Sequence, residues 1–344
     1  MLSKEIEITI AIPVRNEEAY IENCLVSILA SDLDFSVVEI LIVDGNSSDK
    51  TVAIVEKLQK RYPMIYLLHN PKSIIPEAMN IALKHAKGRY FIRVDAHAEY
   101  PKTYFKKLLE WSTKLNADNV GGICLTDVKH KNRKTESIKV VMSHPLGIGG
   151  GEYRGRIQHP MPSHTVPFGC FRTDSLKEIG GFDQRLERTE DLDLNYRLQQ
   201  NGGKVYLVPD VYFTYYAKES LRALARKSYN TGRWVVLSAY LTKRTNALRL
   251  YHFVPMAFVF MLIFPLLICP VNSWGCTIFA LTALFYIITI IGVSVRLKNR
   301  NNSFLYLVLT FVTLHIFYGI GSLNAIADII RKTIMRKYRN INDH

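Results

Sequence analysis

Cysteine is scarce in this chain of 344 residues, and it is poorly placed for chemistry. The five present, Cys24, Cys124, Cys170, Cys269 and Cys276, form no C-x-x-C pair and have no neighbouring His cluster. That argues against a zinc site and against a disulfide framework. Motifs that would name other chemistries are also missing. There is no G-x-S-x-G elbow, and Pro13 to Asn16 stands where a dehydrogenase would carry its glycine fingerprint. Gly149-Gly150-Gly151 lacks the spacing of a phosphate-cradling loop and reads as a mobile loop. No internal repeat or low-complexity linker is visible. The amino terminus has no long apolar stretch before its first strand-like segment, so the soluble part is expected in the cytosol.

Charge is absent from two long stretches. Leu250 to Val295 and Asn301 to Ala327 contain no Asp, Glu, Lys or Arg. A bilayer core of about 30 Å needs roughly 20 apolar residues per helix, so a wholly soluble protein is excluded. The candidate spans are 252–271, 274–295 and 304–330. The chain carries a net charge of +14. After Arg249 there are eight basic residues against two acidic ones, a cytoplasmic-side signature that attracts anionic lipid and does not require nucleic acid. Three full crossings would put Arg331 to Arg339 outside, against that tendency. The third segment, with His315, Gly319, Gly321, Asn324 and Asp328, is therefore expected to be re-entrant, interfacial or split into two shorter helices.

What is present in the first half is alternation. Residues 7–13, 37–43, 64–68 and 90–94 are short β-branched runs, and Glu17 to Ala30, Asp49 to Arg61 and Pro76 to Lys87 have helical spacing. Strand–helix alternation predicts an open α/β sheet with parallel strands and a ligand crevice beyond their carboxyl ends. Three polar clusters follow strands and should meet there: Pro13-Val14-Arg15-Asn16-Glu17, Asp44-Gly45-Asn46-Ser47 and Asp95-Ala96-His97. Past residue 118 the pattern is less regular, with an apolar strand near Thr165–Phe171 and a helix-like Glu190–Asn201.

Asp95 and His97 emerge on the same side of an extended segment. A carboxylate and an imidazole at that spacing can hold Mg²⁺ or Mn²⁺ against a diphosphate; a strand terminator followed by a turn cap is the alternative. Glu190-Asp191 opens a helix, where the dipole favours carboxylates anyway, but an aspartate facing the crevice can act as a general base. Asp44 suits a ribose contact or plain turn chemistry. Residues 218–234 form a basic amphipathic helix, with Lys218, Arg222 and Arg226 on one face; a solvated basic face is one reading, and its position just before the apolar segments favours the headgroup level of a membrane.

The order of these pieces resembles family 2 glycosyltransferases of the GT-A fold. The matching stretches are Ile12 to Glu18, Ile42 to Thr51, Arg93 to His97, Phe168 to Phe171, Gly180 to Asp183 and Glu190-Asp191. Val94 to His97 with Tyr100-Pro101, and then Leu221 to Arg226, are similar to the membrane-associated succinoglycan-biosynthesis glucosyltransferase subgroup. The resemblance covers roughly residues 6–235. It implies a Rossmann-like nucleotide-sugar-binding α/β domain over 1–235 and a membrane-helix region with a basic tail over 236–344.

Residue by residue, the resemblance implies that Pro13, Val14, Arg15 and Glu17 line the nucleotide sugar, with Asp44 on the uracil or ribose. Asp95 and His97 occupy the Asp-x-Asp position for a divalent metal, Mn or Mg, with His departing from the family's third residue. Asp191, beside Glu190, is the catalytic base, and Phe168 and Gly169 belong to the acceptor wall. Processive polysaccharide synthases carry Gln-x-x-Arg-Trp; here Asn230 to Trp234 keeps only Arg233, for the diphosphate, and Trp234, for the acceptor sugar. The missing Gln favours single transfer.

The implied reaction is inverting transfer of a hexose from a UDP-sugar to a polyprenyl-linked saccharide, in exopolysaccharide, capsule or other surface-glycan synthesis. The enzyme would be multi-pass in the cytoplasmic membrane, in contact with its lipids, with a cytosolic catalytic domain. The rivals are a polyprenyl-phosphate glycosyltransferase, a processive synthase and a non-catalytic nucleotide-binding scaffold.

Overall fold

Strand and helix alternate from the first turn of the chain. In the computed structural model, which describes residues 5–148 and 157–342, β1 (Ile8–Val14), β2 (Val38–Asp44), β3 (Ile65–His69) and β4 (Tyr90–Arg93) are linked by α1 (Ile21–Leu29), α2 (Thr51–Arg61) and α3 (Ile75–His85). The four strands pair in parallel in the order β3-β2-β1-β4. Ile8, Ile10 and Ile12 point to one face, where Ile21, Leu25 and Ile28 of α1 cover them. Ala11, Leu41 and Val43 point to the other, against Ala78, Met79 and Ala82 of α3. β1, β2 and β4 are buried on both faces, which explains why they read as largely apolar runs.

The second half of the sheet is mixed. Short β5 (Ala98–Glu99) and α4 (Tyr104–Leu115) precede β6 (Asn119–Asp127). β7 (Met161–Pro162), β8 (Cys170–Arg172) and β9 (Val205–Tyr216) complete nine strands among the described residues, with α7 (Thr173–Glu178) and α8 (Glu190–Gln200) between β8 and β9. β8 runs antiparallel to both β4 and β6, while β6 and β9 are parallel with an irregularity between Gly121 and Ile123. The apolar strand expected near Thr165–Phe171 is therefore shorter and later. Thr165 to Gly169 is irregular, and Phe168 has φ +45°.

Two compact units result. One comprises the chain up to Asp127 and the stretch ending at Tyr216; the other comprises the insertion from Val128 and everything from Ala217 onward. This division does not fall at residue 235, because α9 (Leu221–Thr242) packs along α12 (Phe304–Asn342). The insertion contributes α5 (Arg133–Met142), whose Ile138 and Val141 join Leu307 and Phe311 of α12 in one cluster, and the short α6 (Pro145–Ile148). Gly149-Gly150-Gly151 lies outside the described residues.

Among the described residues, three helical stretches of the second unit are long and apolar enough to cross a membrane: Leu250–Ile268, Ser273–Leu297 and Phe304–Ile334. The first contains α10 (Val254–Ile268), the second is α11 (Ser273–Leu297), and α12 continues beyond the third. Two expectations are corrected. Of the forms expected for segment three, the split into two shorter helices is corrected: it is one unbroken helix, because its glycines accommodate a neighbour without breaking the hydrogen-bond ladder. A Cβ on Gly321 would run into the Tyr229 carbonyl, and one on Gly232 of α9 into the Tyr318 carbonyl. Ser322 Oγ donates to the Gly232 carbonyl at 3.0 Å across the same contact. Second, Cys269 and Cys276 form a disulfide with Cα atoms 4.9 Å apart. They bracket the tight turn between α10 and α11, which brings together residues that no sequence spacing had linked.

Candidate active site

The crevice is built where β1, β2 and β4 end. Asn16 and Asn46 both take left-handed backbone, φ +56° and +61°, a conformation that asparagine tolerates well. The first two loops are laced together. The Asn16 amide donates to Ser47 Oγ at 2.9 Å, Glu17 N to Thr51 Oγ1 at 2.8 Å and Gly45 N to the Val14 carbonyl at 2.8 Å. The third cluster joins through His97, whose Nδ1 lies 3.6 Å from Glu17 Oε1 and 3.3 Å from Asp95 Oδ1. All three strand-end clusters therefore converge.

Individual side chains differ in what they offer. Asp44 is buried at the end of β2 and its carboxylate accepts the Ser47 amide at 3.2 Å, so it shapes the turn. Val14 is 4% exposed and belongs to the core; its backbone, not its side chain, borders the loop. Pro13 is half-buried and Arg15 exposed.

Asp95 and His97 form a carboxylate–imidazole pair. His97 Nε2 meets the Tyr215 hydroxyl at 3.0 Å, while Nδ1 is a buried nitrogen without a hydrogen-bond partner of proper geometry. Burial disfavours its charged form, but the Asp95 and Glu17 carboxylates outweigh that and lift its pKa to about 10. Among the described residues no group of three or more His, Cys, Asp or Glu side chains is arranged to enclose a metal. Asp95 and His97 fit a divalent cation once the imidazole gives up its ring proton to it, the cation taking its remaining oxygens from a diphosphate, as such ions commonly do. The orphaned Nδ1 beside the Asp95 carboxylate is the observation in favour.

Glu190 and Asp191 stand at the amino end of α8 and both are gripped by Arg93, the last residue of β4. Arg93 Nη2 is 3.0 Å from Glu190 Oε1, and Nη1 donates to Asp191 Oδ1. The Arg93 and Glu190 side chains are 5% and 8% exposed, whereas Asp191 retains 29%; of the two carboxylates, Asp191 is the one a substrate can reach. Burial, opposed by Arg93 and reinforced by Glu190 and Asp95, raises the Asp191 pKa to about 7, a value suited to a base at neutral pH. The preceding Thr189 has φ +64°. A β-branched residue there is strained at a cost of about 1–3 kcal/mol, which is typical of functional sites.

A buried amide network fixes this corner. Asn119 Nδ2 donates to Asn195 Oδ1 at 2.6 Å, and Asn195 Nδ2 donates to Thr165 Oγ1 at 3.1 Å and to the Asp191 carbonyl at 2.9 Å. Gly169 is required beside it, because a Cβ would collide with the Asn119 amide. The Gly169 carbonyl accepts the Arg93 amide at 3.1 Å, and the Phe168 ring lies under the Arg93 guanidinium, 5.8 Å from its centroid.

Arg93, Asn119, Asn195 and Tyr215 had no role assigned from sequence. Arg93 was detectable as a lone charge in an apolar strand, Tyr90-Phe91-Ile92-Arg93. The others depend on long-range pairing and left no local signal. Arg233 and Trp234 lie on α9 in the second unit. There Arg233 meets Asp328 Oδ2 at 2.7 Å and Asn324 Oδ1 at 3.1 Å.

This α/β architecture, with carboxylates at the carboxyl ends of its strands, is that of the GT-A fold. Residues 9–180 match the family model of glycosyl transferase family 2, and the chain belongs to that family. It is 29% identical over 332 residues, 94% of this chain and 97% of the relative, to the dolichyl N-acetyl-alpha-D-glucosaminyl phosphate 3-beta-D-2,3-diacetamido-2,3-dideoxy-beta-D-glucuronosyltransferase of Methanococcus voltae. It is 30% identical over 229 residues to the succinoglycan biosynthesis protein ExoA of Rhizobium meliloti, covering 65% of this chain and 67% of that one. In fold it is similar to a mannosyltransferase from Pyrobaculum calidifontis solved with GDP-Man and Mn²⁺, with TM-score 0.61, 16% identity, and coverage of 95% of this chain and 88% of that one.

Proposed function

We propose that the enzyme transfers a hexose from a UDP-sugar to a polyprenyl-linked saccharide in surface-glycan synthesis, inverting the anomeric centre. The observation that carries this reading is Asp191, a reachable carboxylate with its pKa raised to about 7 and held by Arg93 beside Asp95. Asp191 accepts the proton of the acceptor hydroxyl as that oxygen attacks the anomeric carbon, and the bond to the diphosphate breaks in the same displacement. One displacement inverts the centre. Glu190 and Arg93 hold the base in place, and Glu17 and Asp44 border the nucleotide. Asp95 and His97 would hold a divalent ion, which would neutralise charge on the departing diphosphate.

The relatives favour a lipid-linked acceptor. One is named for transfer to a dolichyl-phosphate-linked sugar and another for succinoglycan biosynthesis. The apolar helices support the same assignment. α9 carries Arg222, Arg226, Lys227 and Arg233 alongside the segment of α12 from Thr313 to Asp328. Charges are expensive at bilayer depth, so the α9–α12 pair belongs at headgroup level and the α10–α11 hairpin is the part that crosses. Both ends of that hairpin, and the basic tail, then face the cytosol.

The test is sugar transfer to a polyprenyl-linked lipid extract by purified enzyme and by Asp191→Asn. Product formation that disappears in the variant, with nucleotide binding retained, supports the assignment; near-normal turnover in Asp191→Asn contradicts it.

A further inference from the structure

The pairing of α9 with α12 leaves an open groove of about 490 Å³ within the helical unit. Its lining is chemically divided. Arg222 and Arg226, one turn apart on α9 and both exposed, supply two guanidinium groups at one side, with Tyr229 a further turn along. Leu221 of α9 and Thr313 and Phe317 of α12 supply a mainly apolar wall; Phe317 is 41% exposed. Nearby Arg233 is occupied by Asp328 and Asn324. In contrast, no carboxylate among the described residues pairs with Arg222 or Arg226.

Two unpartnered guanidinium groups at i and i+4 suit a phosphate, which guanidinium binds through paired N–H donors. An apolar wall beginning beside them suits a hydrocarbon chain attached to that phosphate. The groove has one apolar wall, which fits a single chain better than the paired chains of a glycerolipid. We infer that this groove is the seat of the phosphorylated head of the polyprenyl carrier: Arg222 and Arg226 hold the phosphate, and Leu221 and Phe317 contact the first prenyl units. The inference rests on the lipid-linked acceptor reading above and locates where that lipid is held.

The test uses the full chain in detergent or nanodiscs, with polyprenyl phosphate as the titrated probe and binding read by native mass spectrometry. The double variant Arg222→Ala, Arg226→Ala should weaken binding roughly tenfold or more, as loss of charge-assisted hydrogen bonds to a phosphate implies. Arg222→Lys, Arg226→Lys should lose less. UDP binding, unchanged in both, certifies that the first unit is folded. Polyprenol without phosphate, inorganic phosphate and phosphatidylglycerol should each compete poorly. Wild-type affinity in the double alanine variant overturns the inference, as does equal binding of polyprenol. Equal competition by inorganic phosphate would make this a free-anion site, and equal competition by phosphatidylglycerol a general lipid contact; either overturns it. Sugar transfer is scored separately. Specific lipid binding without transfer would refute the acceptor reading and leave the groove standing; transfer with a groove-independent lipid would do the reverse.

Discussion

Arg93 holds Asp191. The guanidinium leaves the end of β4, reaches Glu190 Oε1 at 3.0 Å with one nitrogen and donates to Asp191 Oδ1 with the other. A buried cation thus steadies two adjacent carboxylates while only Asp191 opens to the crevice. The pair sets both the position and the proton affinity of the proposed base.

Replacing Asp191 by Asn keeps the shape and removes the proton acceptor. Turnover should fall by about 10²–10⁴-fold, with UDP affinity within a few-fold of wild type. Parallel UDP-release assays and calorimetric titrations check this, and a large loss of UDP affinity would reassign Asp191 to donor binding.

Activity should depend on pH with a rising limb. A base whose pKa is raised to about 7 is active when deprotonated, so kcat/KM should increase from pH 6 through about 7 and then level. Arg93 lowers that pKa, so Arg93→Lys, which keeps the charge but loses the paired geometry, should move the limb toward higher pH. An unmoved limb would show that another group titrates.

Gly169→Ala forces a methyl against the Asn119 amide. Overpacking of this kind costs about 1–3 kcal/mol, and the displaced network also holds the Asp191 carbonyl through Asn195. Both a lowered Tm and a lowered kcat are expected. A variant that melts as wild type does would mean that the Asn119 amide moves aside freely.

His97→Asp restores two carboxylates at the proposed diphosphate–metal position. Replacing imidazole by oxygen should shift UDP binding from a preference for Mn²⁺ toward Mg²⁺. UDP binding that ignores chelator in both proteins would refute the assignment of Asp95 and His97 to a metal.

The Cys269–Cys276 disulfide closes the α10–α11 turn, and disulfides persist on the oxidising side of a membrane. In intact cells these two thiols should resist maleimide until reduced by an external reductant, while a cysteine introduced at Asn301 should be reached only after the membrane is opened. Labelling of position 301 from outside would invert the proposed topology.

The parallel half of the sheet was legible because Ile8 to Val14 and Val38 to Asp44 are buried on both faces and hence largely apolar, with Thr9 and Glu39 satisfying each other inside. The strand-end clusters followed, since strand polarity alone brings Glu17, Asp44 and Asp95 to one edge. β6 and β9 were not legible: Gly121-Gly122 interrupts the first, Pro209-Asp210 the second, and their pairing joins residues about 85 positions apart. Arg93 was visible as a charge in an apolar strand, but its partners at 190 and 191 come from a distant helix. The Asn119–Asn195 network had no sequence signal, because buried amides look like any loop asparagine until the chain folds.

The central claim is tested most directly by nucleotide release from a panel of nucleotide sugars by the purified full-length enzyme, with and without polyprenyl-lipid extract and with Mn²⁺, Mg²⁺ or chelator. The account predicts UDP release from one sugar, dependent on both lipid and metal and absent in Asp191→Asn. Silence across the panel from folded protein that also fails to bind UDP would contradict it and favour a non-catalytic role.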